Sequence, residues 1–153
     1  GGAAVSAMPQ GINLRETVMD RQLLVCVGSG GVGKTRLAIK AAAEVAHAFP
    51  DGAAFVSLAS LGHADGLVPA VAEALGLELS GRNPEDRLHN YLRHKELLLV
   101  LDNYEHLLEG AYIAVDILGT ASKVKVLVTS RARLSVQGEH LFRLAGMVFP
   151  DLA

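Results

Sequence analysis

Three short, nearly continuous apolar runs limit what this chain can fold into more than any other feature: Leu23 to Val27, Leu97 to Leu101 and Val124 to Val128. A strand with one wet face alternates apolar and polar residues, whereas about five apolar residues in a row suit a strand covered on both sides. Only Lys125 interrupts the third run. A fourth candidate, Ala53 to Leu58, follows the turn signal Pro50-Asp51-Gly52, and a weaker fifth, His140 to Leu144, follows Gln137-Gly138.

Helix-length stretches separate these runs. Lys34 to Phe49 carries Leu37, Ala41 and Val45 on one face, and Ala64 to Leu75 is punctuated by Gly66 and Pro69. A third helix opens with Asn83 as N-cap, Pro84 at the first helical position and Asp86 in the first turn, and runs to about His94. The fourth spans about Asn103 to Leu118 and stops at Gly119. Strands alternating with helices in this way predict an α/β fold with a mostly parallel sheet and helices on both faces.

The 153 residues suit one domain. Fourteen basic and sixteen acidic side chains give a net charge of -2 without long like-charge blocks. That balance disfavours direct nucleic-acid binding, and no apolar run approaches the roughly eighteen residues of a membrane span. Cys26, the single cysteine, cannot form an internal disulfide, and the N-terminus lacks the charged and apolar regions of a secretory signal. A cytoplasmic protein is expected, with Cys26 a small buried hydrophobe. The six histidines show no metal-ligand spacing, and Tyr91, Tyr104 and Tyr112 read as packing residues.

The first run enters Gly28-Ser29-Gly30-Gly31-Val32-Gly33-Lys34-Thr35, which fits G-x-x-x-x-G-K-[ST]. At this chain's own residue frequencies a chance match arises in roughly 0.4% of sequences, and the flanking strand and helix lower that further. Glycines let the backbone curl so that successive amides face phosphate oxygens, and the helix start adds its positive dipole end. Lys34 would reach the outer phosphates, Thr35 would ligate Mg2+, and Arg36, the next residue, joins the set as a nucleotide contact. A nucleotide-bound Mg2+ also needs a carboxylate at the end of a neighbouring strand. Asp102, closing Leu97-Leu98-Leu99-Val100-Leu101, fits that need. It also fits a helix N-cap, with Glu105 three residues on as in a capping box.

Where many such ATPases place a second acid, this chain has Asn103, which can orient a water but cannot take its proton. Glu105 is the nearest alternative base, and slow hydrolysis is expected. The third run ends in Thr129-Ser130-Arg131, and Arg131 is a candidate for neutralising a terminal phosphate, with Arg133 as competitor.

Together GSGGVGKTRLA, FPDGAAFVSLASL, LLLVLDNYEHLL and KVLVTSRARLSVQGEHLFRL, in this order over about residues 23–144, resemble the STAND-class signalling ATPases. The resemblance extends to the nucleotide-binding core of LuxR-type and AfsR-type large ATP-binding transcriptional regulators, cousins of the NB-ARC proteins. It implies a three-layer P-loop NTPase with five strands in the order 5-1-4-3-2. It also implies ATP or ADP with Mg2+ as cofactors, Gly28 to Thr35 as Walker A, Asp102 as Walker B and Arg131 as sensor arginine. The implied function is a switch, inactive with ADP and rearranged by ATP, that signals to effector and sensor domains of a longer chain and is compatible with a nucleotide-dependent oligomer.

The upstream hhGRE segment that helps enclose adenine in such proteins keeps only Arg15-Glu16 of Asn13-Leu14-Arg15-Glu16. The expected organisation is an N-terminal segment, 1–20, partly disordered; a nucleotide-binding domain, 21–145; and the start of a linker to a helical lid, 146–153. Two other readings share the loop: a small-molecule kinase, which needs an acceptor pocket and an arginine-bearing lid, and a non-catalytic nucleotide-binding interaction module.

Overall fold

Alternate residues of the central strands point to opposite faces of one sheet, and both faces are covered. In the computed structural model, which describes residues 10–28, 33–78, 83–104, 116, 117, 119–131, 134, 135 and 138–143, the strands are β1 (Leu23–Val27), β2 (Ala53–Ser57), β3 (Leu98–Asp102), β4 (Lys125–Ser130) and β5 (His140–Arg143). Leu23, Val25, Val27, Leu99, Leu101, Val126 and Val128 pack toward α3 (Leu67–Ala74) and α4 (Pro84–Arg93), where Leu67, Val71, Leu88 and Leu92 complete one core. Leu24, Cys26, Leu98, Val100 and Leu127 face the other way, onto Val18 of α1 (Gln10–Asp20) and Ala38, Ala41 and Val45 of α2 (Lys34–Val45). Each buried valine or leucine contributes about 1.5–3 kcal/mol, so two-sided burial of three strands is the main stabilising term.

The strands lie in the order β2-β3-β4-β1-β5, and every pair is parallel. This is the three-layer α/β arrangement expected from the sequence, with order 5-1-4-3-2 read from the opposite edge. β4 therefore separates the strand leading to the glycine-rich loop from the strand ending in Asp102. In such a sheet the chain leaves all strands at one carboxyl edge, where ligands bind between diverging loops.

Element ends shift where local conformation overrides pattern. The first long helix ends at Val45, continues as a 3-10 turn over Ala46–Ala48, and leaves Phe49 extended. The second begins as a 3-10 turn, Ala64–Gly66, ahead of α3. Asn83 precedes α4 as expected, but it adopts φ 56° and its side chain makes no capping bond. Asn103, where a helix was expected to begin, has φ 69° and stands just outside it, with Tyr104 the first helical residue. Residues 116, 117, 119 and 120 are helical, so Gly119 lies within a helical turn rather than ending it. Most of that expected helix, residues 105–115, and the tail from Leu144 lie outside the described residues.

No element was expected upstream of β1, yet Gln10–Asp20 forms α1. Val18 anchors it in the α2-side core, and Arg15 pairs with Glu44 of α2 at 2.9 Å. The Lys125 ammonium donates to the Val18 carbonyl at 3.3 Å and also to the Met19 carbonyl. A cation on the last carbonyls of a helix satisfies orphan acceptors and opposes the dipole's negative end. Lys125, the polar break in an apolar run, thus caps α1. Burial lowers its pKa, opposed by the nearby Asp20 carboxylate.

Candidate functional site at the carboxyl edge

Strand parity decides which polar side chains meet. Leu98 and Val100 face α2, so Asp102 does too; Leu127 faces α2, and so does Thr129 two residues later. The β3–β4 register pairs Leu101 with Val128, and its next step brings Asp102 beside Thr129. Gly28 N-H donates to the Ser130 carbonyl at 3.3 Å and Leu58 N-H to the Asp102 carbonyl at 2.9 Å, extending the ladder beyond the strand ends.

The glycine-rich loop delivers α2 into this edge. Gly33 has φ 85°, a conformation a side chain would strain, and its carbonyl accepts the first α2 bond, from Leu37 N-H at 2.9 Å. The turn aims the next two side chains inward. The Lys34 ammonium donates to the Gly28 carbonyl at 2.8 Å, spanning the loop's mouth, and the residue is only 3% exposed. A buried ammonium is costly unless polar groups or an anion receive it. The Gly28 carbonyl supplies one such polar group.

Thr35 Oγ1 lies 2.9 Å from Asp102 Oδ1 and 3.1 Å from Oδ2. Donating its single proton leaves the hydroxyl oxygen's lone pairs available to a cation. Thr129 Oγ1 donates to Asp102 Oδ1 at 2.6 Å, and the Asn103 backbone N-H donates to Thr129 Oγ1 at 2.9 Å. The Asn103 side-chain amide reaches Asp102 Oδ2 at 3.5 Å. Asp102 and Thr129 are both buried, and two hydroxyls, those of Thr35 and Thr129, lie within hydrogen-bond distance of the carboxylate. Among the described residues no group of three or more His, Cys, Asp or Glu could hold a metal. One carboxylate and one hydroxyl match instead the sparse oxygen set of a Mg2+ that takes its other ligands from phosphates and water.

The sequence-selected residues Gly28, Gly33, Lys34, Thr35 and Asp102 are thus brought together. Asp102 ends a strand and its carboxylate meets Thr35 and Thr129; Glu105, the other half of the capping-box reading, lies outside the described residues. Arg131 lies exposed just past β4 on the same edge. Arg36 is exposed and, with Gly33, Leu37 and Lys40, lines an open cleft of about 350 Å3. Ser29, Gly30, Gly31, Val32, Glu105 and Arg133 lie outside the described residues. Beyond Arg131, the Glu139 carboxylate accepts Leu134 N-H at 2.6 Å and Ser135 N-H at 3.0 Å, closing that loop on itself. Arg15, from the upstream segment, pairs with Glu44 in the last turn of α2, the end away from Lys34. Thr129 was not singled out by sequence; its signal was a polar residue at the α2-facing end of an otherwise apolar buried strand.

A parallel sheet whose first strand feeds a G-x-x-x-x-G-K-T turn, with a buried aspartate two strands away on the turn's threonine, defines a P-loop nucleotide-binding domain. The NB-ARC domain profile matches residues 12–142, and the chain belongs to the NB-ARC family. A Mycobacterium tuberculosis protein provisionally named as an HTH-type transcriptional regulator is 37% identical over 142 residues, covering 92% of this chain and 16% of the relative. An uncharacterised protein of the same organism is 31% identical over 134 residues, covering 86% of this chain and 34% of the relative. The chain thus spans a minor part of both. Among solved structures, a STAND protein with a tetratricopeptide repeat sensor from Pyrococcus horikoshii superposes with TM-score 0.58 at 18% identity, over 91% of this chain and 23% of that one. The Aeropyrum pernix ORC2 protein gives TM-score 0.61 at 16% identity, over 78% and 40%. At those identities the likeness is one of fold.

Proposed function

We propose that this chain is the ATP/ADP-binding switch module of a cytoplasmic signalling or transcriptional regulator, with slow Mg2+-dependent ATP hydrolysis. The observation that carries the reading is the Thr35–Asp102 hydrogen bond, which ties the phosphate-loop helix to a buried carboxylate across two strands. Residues Gly28 to Thr35 would cradle the phosphates through backbone amides and the Lys34 ammonium, with Arg36 beside them. Thr35 and Asp102 would hold Mg2+, which when bound neutralises phosphate charge. Arg131, at the same edge, would meet the terminal phosphate by forked hydrogen bonds. Glu105 is the candidate base. Asn103, next to Asp102, aligns a water without accepting its proton, so turnover is slow.

Effector and sensor functions would belong to other parts of a longer chain, consistent with the 16% of the regulator that this segment covers. Rearrangement between ADP and ATP states would pass the signal to those parts and is compatible with oligomer formation. The segment would not itself bind nucleic acid, given its net charge of -2. Among the described residues no helix is long and apolar enough to cross a membrane. Asn103 also favours a second reading, a nucleotide-binding interaction module without turnover.

Titration with labelled ATP and ADP in Mg2+, for wild type and Lys34→Ala, tests the proposal. Saturable binding of both nucleotides, weakened at least about tenfold by the substitution, is expected. Absence of saturable binding, or no effect of Lys34→Ala, overturns it. Bound ADP with no phosphate release in a turnover assay selects the second reading.

A further inference from the structure

Asp102 has two hydroxyl neighbours with different duties. Thr35 stands in the first turn of helix α2, just past the glycine-rich loop, and its hydroxyl lies 2.9 Å and 3.1 Å from the two carboxylate oxygens. Thr129 lies on β4, is 0% exposed, and its hydroxyl bridges two groups: its proton goes to Asp102 Oδ1 at 2.6 Å and one lone pair takes the Asn103 N-H at 2.9 Å. Both contacts tie the ends of β3 and β4 together at the residues that matter. We infer that Thr129 is the positioning residue of the Mg2+ site, fixing the Asp102 carboxylate and the left-handed Asn103 backbone so that the second carboxylate oxygen stays directed at the cation. This rests on the nucleotide reading above, and the experiment separates the two.

The chemistry requires a hydroxyl there. Valine has the same shape, but it would leave Asn103 N-H without this acceptor and Asp102 Oδ1 without its shortest donor, so that the carboxylate loses its tie to β4 and is free to rotate. Serine keeps the donor and acceptor and loses only a methyl group. Residues that orient a metal ligand without touching the metal typically change metal affinity by 10-fold to 100-fold when removed. A hydroxyl that served only folding would affect nucleotide binding equally with and without the ion.

The test measures ADP binding to the whole 153-residue chain across a Mg2+ series and in EDTA, for wild type, Thr129→Val and Thr129→Ser. Thr129→Val is expected to raise the Mg2+ concentration for half-maximal enhancement by about tenfold or more while affinity in EDTA stays within about twofold. Thr129→Ser is expected to restore the wild-type Mg2+ dependence. Equal Mg2+ dependence in wild type and a folded Thr129→Val overturns the inference, as does a serine variant as impaired as the valine one. Should Thr129→Val not fold, the serine variant and Thr129→Ala carry the same comparison, and an alanine variant with wild-type Mg2+ dependence overturns it. Wild type that binds no nucleotide under any condition fails the functional proposal itself; wild type that binds with Mg2+ enhancement unaltered by the Thr129 substitutions fails only this inference.

Discussion

Thr35 and Asp102, 67 positions apart in sequence, share a hydrogen bond in which the threonine hydroxyl lies 2.9 Å from one carboxylate oxygen and 3.1 Å from the other. The bond exists because Gly33 ends the loop in a left-handed turn and because strand parity brings Asp102 out on the α2 face. Asp102→Asn keeps the shape and one acceptor oxygen but removes the charge. Mg2+ enhancement of ADP binding should then fall by one to two orders of magnitude, while binding in EDTA is unchanged or slightly tighter because a negative charge near the phosphates is gone. Calorimetric titration with and without Mg2+ checks this; an unaltered Mg2+ effect would remove Asp102 from the cation site.

Helix α1 poses a question of which contact dominates. The Arg15–Glu44 pair is conspicuous, but its side chains are 38% and 33% exposed, and such pairs contribute about 0–1 kcal/mol. Val18 is 2% exposed in the α2-side core, and truncating it to alanine should cost about 2 kcal/mol in lost burial and residual cavity. Thermal melts of Arg15→Ala and Val18→Ala should therefore differ, with Val18→Ala lower by roughly 4–8 °C and Arg15→Ala within about 2 °C of wild type. The reverse order would mean that the ion pair, not the core contact, docks the helix.

What the sequence discloses here follows from how many residues share each signal. Doubly covered strands are legible because Leu23 to Val27 or Leu98 to Leu101 all carry the same apolar message, and the glycine-rich loop because four glycines, a lysine and a threonine must coincide. Single-residue decisions are not. Asn83 and Asn103 each stand just ahead of a helical residue, as read, but nothing in the local pattern announces the positive φ that both adopt, a conformation asparagine tolerates better than most side chains. Lys125 reads as a flaw in a strand and is instead the cap of a helix whose pattern is weak. Thr129 was recoverable in principle by counting alternate residues along β4, but its contact with Asp102 depends on β4 lying beside β3, which the local pattern does not state.

Cys26 is 0% exposed, and burial raises its pKa from 9.0 to about 12, a shift opposed by Lys34 and reinforced by Asp102. Two consequences follow from the sign. The native thiol stays protonated and unreactive toward a disulfide reagent at pH 8, reacting only as the chain unfolds. The unfolded thiol ionises near pH 9 while the folded one does not, so this contribution to stability is complete below pH 9 and is lost as pH rises toward 12, by up to about 1.4 kcal/mol per pH unit. Denaturant titrations between pH 8 and 11 should show a shallower loss of stability in Cys26→Ala than in wild type. Parallel curves would show that the thiol does not titrate differently in the two states.

Asn103 occupies the place beside Asp102 where a proton acceptor would serve hydrolysis, and its φ of 69° suits few residues besides asparagine, aspartate and glycine. Asn103→Asp is therefore the substitution that adds a base without forcing the backbone to change. Its backbone N-H still donates to Thr129, and the new carboxylate starts from the position of the present amide, 3.5 Å from Asp102 Oδ2. Repulsion between the two carboxylates should weaken nucleotide binding in EDTA slightly and be relieved by Mg2+. A positioned general base contributes 10²–10⁴-fold in favourable cases, and an unrefined one should still raise the single-turnover rate of ATP hydrolysis by about tenfold, with ADP affinity in Mg2+ within about threefold of wild type. Hydrolysis unchanged while ADP binding persists would show that the attacking water is not aligned at Asn103, leaving Glu105 as the base to test next.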